Sequence, residues 1–266
     1  MISKEIKSKI LNYYDKKEDK IFAGAIIDKV NKFETSNYMV CTNFLNMKEK
    51  EIAVSILNKQ DINYYLFNPL KDTERTVIFI FPEYLDIEEI LYKYITVIKV
   101  VPKVKGKITH REYMGTIYSL GLREDMIGDI FVCNDSCYLF CLKQIEKYIL
   151  NNLSKVAKTE VNLESLDLYS KEVKSIKLNL KHMEVIIPSL RVDVILSEVF
   201  CLSRSEVKTK IQNGDLCINA KEMFFVAYEV KHKDIISFRK CGKFKIGNVL
   251  RNTKSGKFVL TIDKYN

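Results

Sequence analysis

The stretch RVDVILSEVFCLSRSEVKTKIQNGDLCIN, residues 191–219, decides how the C-terminal part of the chain is read. Val192, Ile195, Leu196 and Val199 recur at the spacing of one helix face, which predicts a helix over Arg191–Phe200. Ser203 then serves as N-cap of a second helix, Arg204–Asn213. Its hydroxyl accepts from an N–H that the first turn leaves unpaired, and Glu206 three residues on completes a capping box. Gly214 ends that helix in the left-handed conformation that needs no Cβ. Asp215–Asn219 reads as a short strand, Asn219-Ala220-Lys221 as a turn and Asp234–Phe238 as another strand. Arg191, Ser203, Arg204, Lys208 and Lys210 therefore gather at the start and along one side of a helix pair. Hydroxyls, helix N-terminal amides and Arg/Lys side chains are the groups that hold phosphates. On spacing alone, a solvated basic helix face fits the same pattern.

Outward from this stretch, the charge is uneven. The chain has 266 residues, with 43 Lys and Arg against 34 Asp and Glu. Residues 187–266 hold 15 basic against 8 acidic side chains, and residues 1–186 hold 28 against 26. A basic module on a nearly neutral body points to an anionic partner, either nucleic acid or a membrane surface. Only nine Gly and three His are present, so a glycine-rich phosphate loop or a histidine-based catalytic centre is not expected. Gly115, Gly121 and Gly128 stand too far apart for a nucleotide fingerprint. Apolar runs such as Val77–Phe81 fall far short of the ~20 residues of a spanning helix. The N-terminus MISKEIKSKILNYYDKKEDK lacks an apolar signal core. Seven scattered Cys, an odd number, read as reduced thiols, so a cytoplasmic location is expected. Cys133, Cys137 and Cys141 form a C-x3-C-x3-C pattern. The spacing is too wide for a usual zinc site and no His lies near, so buried thiols are expected and no metal.

The pattern divides the chain into segments 1–94, 95–183 and 184–266. The first predicts helices over Lys4–Asn12, Glu18–Phe33 and Met47–Lys59, and strands over Asn63–Asn68 and Thr76–Phe81. Asp86 is an N-cap candidate for a short helix to Tyr94. The second reads as strand Ile95–Val101, helix Thr109–Leu120, strand Ile130–Cys133, an Asn134-Asp135 turn, strand Cys137–Leu142, helix Lys143–Leu153 and strand Val156–Leu163. That β-α-β-β-α-β order is the ferredoxin-like one also used by RNA-recognition domains. Its helices bury one sheet face and leave the other for a ligand. Tyr138 and Phe140 share a face, as a stacking pair or as core. His110-Arg111-Glu112 opens a helix after Lys103, Lys105 and Lys107, as a solvated basic loop, a phosphate contact or, through His110, a general base. A polar, Lys-rich stretch, Ser170–His182, leads into the third segment, either as a linker or itself paired as strands.

The combined motif is Arg191-x-Asp193, Leu202-Ser203-Arg204-Ser205, a Lys-rich helix, Asn213-Gly214-Asp215 and a late Lys233-Asp234. It resembles the RNA-binding domain named after small-subunit ribosomal protein four, the S-four domain. The match runs from Arg191 to Phe238. It departs from the usual pattern at the Asn-Gly turn, here Asn219-Ala220, and at the Gly before the late Asp, here Lys233. HREYMGTIYSLGLREDMIGDIFV (110–132), IEKYILNNLSKVAKTEV (145–161), FLNMKEKEIA (44–53) and GKFKIGNVLRNTKSGKFVL (242–260) resemble the YlmH proteins of bacteria. The family's glycine-rich turn is replaced by Asn68–Thr73 ahead of Glu74-Arg75.

The resemblance implies an α+β chain of three small domains. These are an α/β N-terminal domain (1–94), a ferredoxin-like, RNA-recognition-like middle domain (95–183) and an S-four-type domain with basic C-terminal strands (184–266). It also implies a role: relatives bind ribosomal particles in ribosome-associated quality control on large subunits, and their genes lie near cell-division genes. The resulting expectation is a cytoplasmic, monomeric, non-catalytic protein with no cofactor. Arg191, Ser203, Arg204, Ser205, Lys208, Lys210 and Lys221 would grip structured rRNA or tRNA on the large ribosomal subunit. Arg239, Lys240, Lys243 and Lys245 would extend the phosphate track. The alternative is an RNA-modifying enzyme of pseudouridine synthase or methyltransferase type. It requires a catalytic Asp in its own motif or a glycine-rich cofactor loop, and neither stands in residues 1–186. Membrane attachment through the basic tail is not expected, because that tail has no amphipathic helix with bulky apolar anchors.

Overall fold

The computed structural model describes residues 2–70, 73, 75–104, 106, 108–133, 135–176 and 180–265. The chain divides into two compact units, Met1–Lys177 and Leu178–Asn266. Lys105, Lys107, Glu74 and Asn134, which the sequence reading named, lie outside the described residues.

The first unit begins with α1 (Lys4–Asn12), α2 (Lys17–Ser36), β1 (Val40–Cys41), α3 (Met47–Lys59), β2 (Tyr64–Phe67) and β3 (Val77–Ile80). The helix α3 starts where Asn46 and Glu49 close a reciprocal capping box, so two otherwise unpaired N–H groups are satisfied. The three strands form an antiparallel sheet in the order β1-β3-β2. Ala23, Ile26, Ile27 and Val30 of α2 pack with Ile52, Ala53, Ile56 and Leu57 of α3 against Ile78 and Ile80 of β3. Val77 and Phe79 point to the other side of β3 and are also fully buried, so this central strand reads VIFI without a polar position. The helix expected from Asp86 to Tyr94 is absent except for a 3-10 turn at Leu91–Lys93. The Asp86 carboxylate accepts from the Glu88 N–H at 3.0 Å, closing a local turn.

The unit continues with β4 (Ile95–Pro102), α4 (His110–Ser119), β5 (Ile127–Cys133), β6 (Ser136–Leu142), α5 (Glu146–Asn152), β7 (Lys155–Val156), β8 (Thr159–Leu166) and α6 (Lys171–Ser175). The sheet runs β5-β6-β4-β8-β7 and is antiparallel throughout. β4 and β5 are thus parallel around β6, and β6 and β8 around β4, which is the split β-α-β arrangement. Tyr113 and Ile117 of α4 and Ile145 and Ile149 beside α5 cover Ile98, Val100, Ile130, Cys137, Leu139 and Cys141. Cys137 and Cys141 sit in this core, where burial pushes both thiols well above their ordinary range. Cys133 pairs with Ser136 across the β5–β6 turn, which puts it on the opposite sheet face from Cys137. The three sulfurs therefore do not converge.

The second unit contains β9 (Leu180–Ile187), α7 (Val192–Phe200), α8 (Arg204–Gln212), β10 (Leu216–Ile218), β11 (Lys221–Glu222), β12 (Ile235–Phe238), β13 (Gly242–Asn252) and β14 (Phe258–Tyr265). Its antiparallel sheet runs β11-β10-β12-β13-β14-β9. All eight residues of β9 pair with β14, so this sheet begins at Leu180, ahead of the expected boundary at 183/184. Val192, Ile195, Leu196 and Val199 of α7 and Val207 and Ile211 of α8 pack on one sheet face with Val185, Leu216, Phe238, Phe244, Leu260 and Ile262. Gly214 follows α8 at φ +82. Asn219 and Ala220 both take positive φ, 51 and 61, as a two-residue hairpin turn requires. Ala at the second position costs about 1 kcal/mol relative to glycine. Asn219 offsets this by donating to Asp234 and accepting from the Ile235 N–H, each at 2.9 Å.

Candidate nucleic-acid interface

The α7–α8 junction is built around one buried carboxylate. Asp193, in the first turn of α7, is 5% exposed at its side chain. Arg191 donates to it through Nε at 3.1 Å and Nη2 at 3.2 Å, and Arg204 through Nη2 at 2.5 Å. The local chain dictates this meeting. Cys201 turns left-handed at φ 53 and ends α7, and the Ser197 hydroxyl donates to the Leu202 carbonyl at 2.6 Å. Ser203 then caps α8 by accepting from the Glu206 N–H at 3.2 Å. The tight turn brings Arg204 back to the start of α7. Both arginine side chains stay about half exposed, at 42% and 51%. Two planar guanidiniums are thus held side by side with their outer edges toward solvent. That geometry suits bidentate contact with phosphate oxygens.

The other expected residues fall into separate groups. Lys208 is exposed and lies one turn beyond Arg204 on the same flank of α8. Lys210 lies about 200° further round at 100° per residue, on the opposite flank. The Ser203 hydroxyl is engaged as the cap and, at 3.1 Å, with the Ser205 hydroxyl. Lys221 is exposed in β11 at the sheet edge. Arg239 and Lys240 are exposed in the turn after β12, with Lys240 at φ 63. Lys243 and Lys245 alternate with the buried Phe244 and so face away from the helices. The Lys243 ammonium lies 5.3 Å from the Tyr265 ring centroid, and Lys245 stands opposite Asp263. Arg191, Arg204 and Lys208 are the members that the structure brings together. Lys243 and Lys245 belong to the other face of the sheet.

The middle sheet differs from the expectation of an open ligand face. Ile95, Val97, Phe131, Tyr138, Phe140 and Leu142 point away from its helices, yet all are buried. Phe140 packs edge-to-face on Phe131 with centroids 5.6 Å apart. Phe44, from the loop before α3, reaches so close that a Cβ on Gly128 would lie 2.7 Å from its ring. The Phe44 N–H donates to the Asp125 carbonyl at 2.8 Å, and Asn43 donates to the Asp125 carboxylate at 2.8 Å. From the other side, Glu172 of α6 accepts from Tyr138 at 2.8 Å and pairs with Lys99 at 2.6 Å. These contacts make Tyr138 and Phe140 core, not a stacking platform. Burial, followed by the bond to Glu172, pushes the Tyr138 hydroxyl well above its ordinary range. Thr109 and Glu112 close a capping box at the start of α4, which accounts for the helix that His110 opens.

The family described as "Putative RNA-binding domain in YlmH" matches residues 94–170. A relative from Bacillus subtilis (strain 168), "Ribosome-associated protein quality control protein P2", is 22% identical over 250 residues. The match covers 94% of this chain and 96% of that one. The chain is YlmH-like. A solved structure, "Cell division protein ylmH from Streptococcus pneumoniae", superposes with a TM-score of 0.51 at 20% identity, covering 62% of this chain and 98% of that one. That likeness concerns the fold. In this YlmH-like chain the region matched as an RNA-binding domain has its helix-free sheet face buried. Among the described residues, no helix is long and apolar enough to cross a membrane, and no group of His, Cys, Asp and Glu is placed to hold a metal ion.

Sequence reasoning noted Asp193 only as part of a motif and missed its role. The signal was present: an acidic residue two positions after an arginine, inside an otherwise apolar helix face, needs a charged partner if it is to be buried.

Proposed function

We propose that this YlmH-like chain is a non-catalytic RNA-binding protein of the cytoplasm. Its C-terminal unit acts as an S-four-type domain. The observation that carries the reading is the clasp of Arg191 and Arg204 on the buried Asp193, with Lys208 one turn on. The excess of basic residues after position 186 supports it, as do the names of the relatives. The partner is structured rRNA or tRNA on the large ribosomal subunit, in ribosome-associated quality control. The first and middle segments serve as the body that presents the C-terminal unit. Recognition is chiefly of backbone and shape, as expected for folded RNA.

Phosphate neutralisation releases counterions, so binding must weaken steeply with salt. For about four phosphate contacts, affinity for a folded RNA falls on the order of 100-fold between 50 and 200 mM salt. Filter binding across that range, with ribosome co-sedimentation in parallel, measures the slope. A slope near zero contradicts the proposal.

A further inference from the structure

We propose that Phe224 and Phe225 form a stacking site for unpaired bases of the RNA whose phosphates Arg191 and Arg204 hold. This rests on the RNA-binding reading and adds to it the conformation of the RNA recognised. The two rings are 56% and 64% exposed, although they are adjacent large aromatics in the segment between β11 and β12. Their neighbours Met223, Val226 and Tyr228 pack against the core of the unit. Inward anchors on both sides of the pair fix the two rings outward.

The segment also has fixed ends. At one end the Met223 N–H donates to the Leu216 carbonyl at 2.9 Å, and the Phe224 ring lies 3.4 Å from where a Cβ on Gly214 would stand, just past α8. At the other end the Val192 N–H donates to the Tyr228 carbonyl at 2.8 Å, and the Glu229 backbone forms an isolated antiparallel β-bridge with that of Arg191. The aromatic pair therefore sits on a strap running from the end of α8 to the arginine clasp. Phe225 and Glu229 are four positions apart, which limits that span to about 14 Å. Exposed π-faces within a few nucleotides' reach of fixed cations are what single-stranded nucleic acid needs, because stacking tolerates any base while the cations hold the backbone. An anionic membrane also attracts a basic surface with exposed rings. RNA is favoured because the arginines are paired as planar forks on a buried carboxylate, an arrangement for oriented oxygens.

The full chain contains no Trp, so Phe225→Trp introduces its one indole. Titration with a hairpin carrying an unpaired loop should quench that fluorescence, and the same stem as a blunt duplex should not. Phe224→Ala with Phe225→Ala should weaken hairpin binding about tenfold or more. Duplex binding should change by less than about twofold, and thermal unfolding should be unchanged, because neither ring is buried. Equal loss on hairpin and duplex, or no loss on either, overturns the proposal. So does flotation with phosphatidylserine vesicles that depends on the two rings while hairpin binding does not. Arg204→Gln with Lys208→Glu separates the two levels of the argument. If that variant still binds both RNAs, the RNA-binding reading fails. If it loses both while the double Ala variant loses neither, only the stacking site fails.

Discussion

Arg204→Gln combined with Lys208→Glu will lower the affinity for structured RNA by at least about 100-fold and remove ribosome co-sedimentation. Each lost charge-assisted contact is worth roughly 1.5–3 kcal/mol, and two such losses reach that factor. The slope of log affinity against log salt should fall by roughly 1.5–2 in the same variant. The choice of Gln at position 204 follows from the structure. Arg204 neutralises the buried Asp193, so Glu there would set two carboxylates together at a 5% exposed site and confuse unfolding with lost binding. Lys208 is exposed, and reversing its charge leaves the core untouched. The comparison is made by filter binding on protein whose unfolding midpoint matches the wild type. Retained affinity in a folded variant removes the clasp from the account.

The second large effect concerns stability. Gly128→Leu will destabilise the first unit by about 3 kcal/mol or more. A Cβ alone at this position meets the Phe44 ring at 2.7 and 2.8 Å and the Phe140 Cβ at 3.1 Å. Overpacking a filled core costs about 1–3 kcal/mol when neighbours can shift, and here the Phe44 backbone is tied to Asp125. Urea unfolding measures the cost. Adding Phe44→Ala to Gly128→Leu makes room for the new side chain and should recover part of the loss. If Gly128→Leu proves neutral, the packing of Phe44 over the middle sheet is wrong.

Much of the architecture was legible in particular residues. The spans Lys4–Asn12 and Met47–Lys59 follow from apolar spacing and stand as expected. Ser203 caps α8 and Gly214 follows it at positive φ as read, while the capping box expected with Glu206 closes only on the Ser203 side, through the Glu206 N–H. Local signals ran out where partners are distant in sequence. β9 begins at the end of the Lys-rich stretch Ser170–His182, which reads equally as a linker or as paired strands. Only its pairing with β14, eighty residues later, makes it a strand. The β13–β14 hairpin supplies the basic C-terminal strands that the resemblance implies, with Lys243 and Lys245 alternating with Phe244 and Ile246, but its pairing on to β9 has no local signal.

The covered sheet face was hidden for the same reason. Tyr138 and Phe140 fit a stacking platform or a core equally well until Phe44 and Glu172 are seen against that face. The candidate site was half legible. Arg191, Arg204 and Lys208 come together as the helix pair suggests. Lys210 turns to the other flank, and the strand lysines leave by the opposite sheet face. Ala220 and Lys233, where glycine was expected, keep positive φ at 61 and 71, so the turns persist despite the substitutions.

The central claim is that RNA is held by the C-terminal unit at the arginine clasp and not by the sheet face of the middle segment. Ultraviolet crosslinking of the intact chain to bound RNA, with the modified peptides identified by mass spectrometry, tests it most directly. The account predicts nucleotide adducts on peptides spanning residues 191–228 and none on Phe131, Tyr138 or Phe140. Adducts on those three aromatic residues, with residues 191–228 unmodified, would contradict it.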